Sequence, residues 1–121
     1  MAGFNLGNTS QLLLFQRGQT NKDIHMSQTD DTLVIPKHGM DDDVNIDFTS
    51  SSQPKGTTLH THFCLAVDKP QDVDHWEQEL RSKGVTILGR AQWPPGGKSI
   101  YFHDPDRHVG ELASKGIWPN Y

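Results

Sequence analysis

The stretch from Ser99 to Leu112, SIYFHDPDRHVGEL, decides how this chain is read. Ile100 and Phe102 alternate with Tyr101 and His103, the period-two pattern of a strand with an apolar face and a more polar one. Asp104 to His108 then make a turn, since Pro105 fixes a backbone angle and aspartates hydrogen-bond their own backbone. Val109 begins a second apolar strand, VGELAS. A glutamate within it is informative. Burying a carboxylate without a partner is costly, so Glu111 calls for a cation, a metal or a wet cavity.

Reading back toward the N-terminus, PPGG from Pro94 is a turn and VTILGRAQW, ending at Trp93, is another strand. Before it, DKPQDVDHWEQELRSKG predicts an amphipathic helix. Pro70 and Asp72 suit its entrance, Val73, Trp76 and Leu80 fall on one stripe, and Gly84 closes it. Ahead of the helix, LHTHFCLAV alternates, with Leu59, Thr61, Phe63 and Leu65 on one face and His60, His62, Cys64 and Ala66 on the other. It reads as a strand buried on both sides, with Cys64 a small buried hydrophobe rather than a nucleophile. Residues 59–121 thus predict a complete βαβββ unit, an α+β arrangement.

Residues 1–58 are organised differently. Strands are expected near residues 4–6 and 11–16, the latter, around Leu12 to Phe15, as a buried strand. A long polar connection follows, with DDD at Asp41 to Asp43 and only TLVIP and VNIDF as short strand candidates, so it is expected to carry little core. His25, His38 and, on the helix, His75 read as surface residues.

The 121 residues suit one ordinary domain. A net charge of −4 with eleven scattered Lys and Arg excludes a nucleic-acid footprint, and no apolar run is long enough to cross a bilayer. The start lacks the basic region of a signal peptide, and a cytoplasmic protein is expected.

The order HFCLAV, DVDHWEQELRSKGV, WPPGGKSIYFHDPDRHVGELAS resembles the C-terminal module of the vicinal oxygen chelate superfamily, which includes glyoxalases, bleomycin-resistance proteins, extradiol dioxygenases and fosfomycin-resistance transferases. SIYFHDPDRHVGEL is similar to that family's aromatic pair, Asp-Pro-Asp turn and closing-strand Glu. The resemblance implies paired βαβββ modules forming a cup around a divalent metal (Mn, Fe, Ni or Zn), with His62 and Glu111 as ligands. It also implies that the chain starts at the third and fourth strands of a first module, leaving that module incomplete. The first-module carboxylate would fall near Leu14, which cannot ligate. Arg107 stands where the family has Gly, at a cost of about 1 kcal/mol if the left-handed turn is kept.

With two ligands certain, the third is expected from His60, which shares the face of His62, or from a second chain. Tyr101 and His103 are candidates for substrate contact or proton transfer, Glu111 for a catalytic role, and Trp93, Tyr101 and Trp118 for lining a substrate pocket. The expectation is a metal-dependent lyase, dioxygenase or thiol transferase acting on a small oxygen-rich substrate. The alternative is a metal-free sequestration protein of the bleomycin-resistance type. An apolar strand edge at QLLLF predicts a homodimer.

Overall fold

The computed structural model describes residues 1–7, 10–16, 18–39 and 61–118. Strand β1 is Ala2–Asn5, β2 Gln11–Leu14, β3 Ile24–His25, β4 Val34–Ile35 and β5 His62–Val67; helix α1 is Pro70–Ser82, followed by β6 Ile87–Gln92, β7 Lys98–His103 and β8 Val109–Ser114. The main sheet has the order β5-β8-β7-β6, with β5 parallel to β8 and the other pairs antiparallel. The chain therefore places the first strand of this unit beside its last. The α+β class and the βαβββ order follow as expected.

One face of the sheet is covered by α1. Its entrance is set by Pro70 at the first helical turn and by the Asp72 carboxylate, which accepts the Lys69 N–H at 2.9 Å. Gly84, at φ 79°, ends it. Val73 packs on Ile100 and Leu112, ringed by Val67, Leu80, Ile87 and Phe102. Each such side chain contributes about 1.5–3 kcal/mol by leaving water. Trp76 shares the stripe yet is half exposed, so the helix buries a narrower face than its pattern suggested. A ladder ties α1 to β6: Glu77 accepts from Arg81 at 2.8 Å and from both Nε and a terminal nitrogen of Arg90.

The opposite face gathers Ala91, Tyr101 and Val109, with Ile35, Leu88 and Trp93 around them. A bulge between Ile87 and Gly89 shifts the alternation, so that Ile87 faces the helix while Ala91, four residues on, faces this second core. Residues 18–39 lie across this face as a strap, a small β3–β4 hairpin extended by the bond from Met26 N–H to Leu33 O. The Arg90 N–H donates to Thr32 O at 2.8 Å, and a Cβ at Gly89 would meet Val34 O at 2.2 Å. Glycine is the residue that permits this approach. The polar connection is therefore not coreless: Val34 is buried and Ile35 joins the cluster.

Two further expectations are corrected. The strand at QLLLF pairs with β1, but as a separate two-stranded hairpin whose Leu12 and Leu14 are about half exposed rather than buried. Among the described residues strand β5 is an edge strand, covered on neither side along most of its length: Leu65 is 54% and Phe63 37% exposed, and Cys64 is exposed as well. Alternation of apolar residues on both faces reads alike for a central strand and for an edge awaiting a cover. VNIDF and His60 lie outside the described residues.

The DPDRH turn keeps the left-handed residue, with Arg107 at φ 69°. It is closed by Asp104 Oδ1 accepting the His108 N–H at 2.8 Å, while His108 Nδ1 accepts the Thr61 N–H at 3.0 Å and ties the turn to the entry of β5. His108 thus has a structural task. Among the described residues, no helix is long and apolar enough to cross a membrane.

Candidate metal centre

The register of the main sheet brings the candidate side chains together. Glu111 on β8 pairs with Cys64 on β5 and with Tyr101 on β7, while Val109 pairs with His62 and His103. Paired residues project from the same face. His62, Cys64, Glu111, Tyr101 and His103 therefore share the face that carries the strap.

The His62 Nε2 stands 3.0 Å from Glu111 Oε2, with side chains only 21% and 8% exposed. The separation suits a hydrogen bond but the direction does not, and Nε2 remains a buried nitrogen without an aligned partner. The Tyr101 ring lies 6.1 Å from that of His62. Burial, and then the Glu111 carboxylate beside it, push the Tyr101 hydroxyl above its ordinary pKa, so it keeps its proton throughout the neutral range. Cys64 is exposed by area, but protein atoms crowd its sulfur. Desolvation, followed by the Glu111 charge, pushes the thiol up, the reverse of nucleophile activation.

His38 was expected on the surface and is instead half-buried against the site. Its ring centroid lies 4.5 Å from that of His62 and 5.8 Å from that of Phe15. Its Nε2 is also buried and without a hydrogen-bond partner. Burial is the largest influence on its pKa and lowers it, with His62 adding to the effect and the Pro36 carbonyl and Glu111 opposing it, so the imidazole is held neutral more firmly than usual. Sequence periodicity had no means of finding His38, since a strap crossing a sheet has no period. The available signal was Gly89 in the middle of a strand, which marks the close approach of another backbone.

The remaining candidates fall around this centre. Trp93 sits in the second core and donates its Nε1–H to Ser99 Oγ at 3.0 Å. His103 is half-buried on the same face, and Trp118 is half-buried beyond β8. A groove lined by Ser10, Asp68, Asp72, Trp76 and Lys115 lies at the other end of β5, by the helix entrance and away from His62. Among the described residues, no three His, Cys, Asp or Glu side chains already stand in a metal-holding arrangement. The His62 Nε2 beside the buried Glu111 carboxylate nevertheless pairs the two donor types, imidazole and carboxylate, that a divalent transition ion takes.

The family model described as Glyoxalase/Bleomycin resistance protein/Dioxygenase superfamily matches residues 4–112. Among curated proteins, the chain is similar to the metallothiol transferase FosB of Bacillus licheniformis, 35% identical over 60 residues, which make up 49% of this chain and 38% of that protein. It is 43% identical over 54 residues to the metallothiol transferase FosB of Staphylococcus epidermidis, a match covering 44% of this chain and 37% of the relative. Among solved structures it is similar to a lactoylglutathione lyase from Agrobacterium tumefaciens, with TM-score 0.49 and 24% identity over 63% of this chain and 57% of that one. Another is the fosfomycin resistance protein FosX from Mesorhizobium loti, with TM-score 0.39 and 27% identity over 50% of this chain and 48% of that one.

Proposed function

Because this chain belongs to the Glyoxalase/Bleomycin resistance protein/Dioxygenase superfamily, we propose that it is a divalent-metal-dependent enzyme acting on a small oxygen-rich substrate, with thiol transfer as its reaction. The observation that carries the metal reading is the buried Glu111 carboxylate facing a His62 Nε2 that no hydrogen bond satisfies. A metal-free sequestration cup has no use for that pair. Thiol transfer is favoured over lyase or dioxygenase chemistry by the two curated relatives named as metallothiol transferases, whose aligned parts span less than two-fifths of their length.

In this reading His62 and Glu111 hold the ion. The bound ion supplies Lewis acidity toward an oxygen of the substrate. Tyr101, protonated and set opposite Glu111 in the β7–β8 register, orients that carboxylate from the buried side. His103, next along the same face, is positioned to contact substrate or to move a proton, and Trp93 supplies an apolar wall. Glu111 is then a ligand whose loss removes both ion and activity.

The reading extends to a homodimer. Phe63 and Leu65 on the edge strand β5, with Leu12 and Leu14 on the β1–β2 hairpin, leave apolar strands uncovered, and such edges favour association. A monomer by light scattering at micromolar concentration sinks this part.

Elemental analysis of the purified chain beside Glu111→Ala tests the centre. Near-stoichiometric Mn, Fe, Ni or Zn that disappears in the variant is expected, followed by metal-dependent addition of a low-molecular-weight thiol to an epoxide. Absence of metal from the wild type after reconstitution overturns the reading.

A further inference from the structure

His62 is the first residue of β5, and among the described residues β5 has one neighbour in the main sheet, β8. A strand held along one side opens first at its ends, where the ladder stops. His62 therefore stands where the sheet grips least. What holds it is the residue just ahead. The Thr61 carbonyl accepts the Val109 N–H at 2.9 Å, and the Thr61 N–H donates to His108 Nδ1 at 3.0 Å. The first is a ladder bond beside the parallel pair of His62 with Val109. The second has a side chain as its acceptor, because β8 begins only at Val109 and the chain before it is still turning.

The His108 ring is delivered by a fixed backbone. Its N–H donates to Asp104 Oδ1 at 2.8 Å, and its carbonyl accepts the Asp104 N–H at 3.0 Å. Arg107, at φ 69°, closes the turn by donating its N–H to Asp104 O at 3.0 Å. A backbone N–H only donates, so Nδ1 is the bare ring nitrogen and the neutral imidazole carries its proton on Nε2. A ring held by its own turn, with its lone pair spent on the residue before His62, acts on where β5 begins.

We propose that His108 is a positioning residue for His62: by accepting the Thr61 N–H it fixes the entry of β5 and, through it, the 3.0 Å approach of His62 Nε2 to Glu111 Oε2. The inference deepens the reading of His62 and Glu111 as a working pair and rests on it. Glu111 needs no such device, since it lies mid-strand in β8 with β5 on one side and β7 on the other. His62, at the start of an edge strand, does.

The test uses the full chain with His108→Phe, which keeps a flat ring and removes the acceptor, and His108→Asn, whose Oδ1 restores an acceptor near the place of Nδ1. Without metal, the His62 ring nitrogens are followed by long-range proton–nitrogen NMR, assigned with His62→Gln. With Zn(II) alone, affinity is read by competition with a chromophoric chelator. In His108→Phe the His62 signals are expected to shift or double and Zn(II) affinity to fall about three- to tenfold, the span of one net hydrogen bond. His108→Asn is expected to return both toward the wild type. His62 signals unchanged in His108→Phe, or changed as much in His108→Asn, overturn the assignment, as does an unchanged affinity in a protein that binds Zn(II). A wild type that binds no Zn(II) overturns the metal reading instead, and the nitrogen signals then decide on His108 by themselves. Should His108→Phe fail to fold by circular dichroism, Thr61→Pro withdraws the donor just ahead of the edge strand. Altered His62 signals there support the tether, and unaltered ones overturn it.

Discussion

The sheet of β5 to β8 with α1 and the strap of residues 18–39 are built on opposite terms. The first is specified by repetition: apolar residues recur along β7 and β8 and along one stripe of α1, and where they meet Val73, Ile100 and Leu112 are almost wholly buried. The second has few apolar residues and holds its shape by individual contacts. Asp23 accepts the Lys37 N–H at 2.7 Å, Asp30 accepts from Thr32 N–H at 2.9 Å, and Thr20 clamps His38. Yet the strap reaches the candidate centre from above while the sheet supplies it from below. A region poor in core can still be rich in position, because hydrogen bonds fix direction even where burial contributes little energy.

The contrast is broken most forcefully from the sheet side. Ile100→Ala empties the helix-facing core and is expected to cost about 2–5 kcal/mol, read as a lower urea midpoint at unchanged slope. Gly89→Ala attacks the junction, since its Cβ runs into the Val34 carbonyl; a loss of about 1–3 kcal/mol is expected. Amide exchange should show that loss concentrated at Thr32 to Ile35, and uniform loss of protection throughout the sheet would mean that strap and sheet are one cooperative unit.

A smaller effect comes from the ladder between α1 and β6. Burial alone raises the Glu77 carboxyl, but hydrogen bonds from Arg90 and then Arg81 outweigh it and hold the group below the usual carboxylate range. The unfolded chain then binds the proton more readily, so this stabilisation is present above the ordinary value of 4.5 and is lost as pH falls through the lower folded value. Glu77→Gln is expected to cost about 1 kcal/mol at neutral pH and to flatten the acid limb of the stability curve. A variant with the same acid limb as the wild type rules the ladder out as its source. Arg107→Gly, relieving the left-handed turn, is expected to gain up to about 1 kcal/mol by thermal melting. Leu12→Ala, on the half-exposed hairpin, is expected to change the stability of the single chain by less than about 0.5 kcal/mol, and a larger loss that depends on protein concentration would place the hairpin in the dimer contact proposed above.

The same division separates what was legible in the sequence from what was not. Alternation gave β7 and β8, the helical stripe with Pro70 and Gly84 gave α1, and Asp104 to His108 gave a turn, because each is a local relation between near neighbours, whereas the left-handed backbone at Arg107 was implied only by the family resemblance. The exposure of β5 was hidden because a strand's own residues do not say whether anything lies on top of it. His38 was hidden for a related reason. Its environment is made by Phe15, Thr20 and His62, all distant in sequence, and its immediate neighbours Lys37 and Gly39 suggest only a polar loop.

The strand order has a consequence in time. Strand β5 emerges from the ribosome with HFCLAV ready to pair, but among the described residues its partner in the main sheet is β8, which follows after the helix and two further strands. The pairing is parallel and distant in sequence, so loop-closure entropy delays it. During synthesis this strand is the stretch most exposed to wrong partners, and slowing translation between residues 68 and 108 should lower the soluble yield more than slowing it elsewhere.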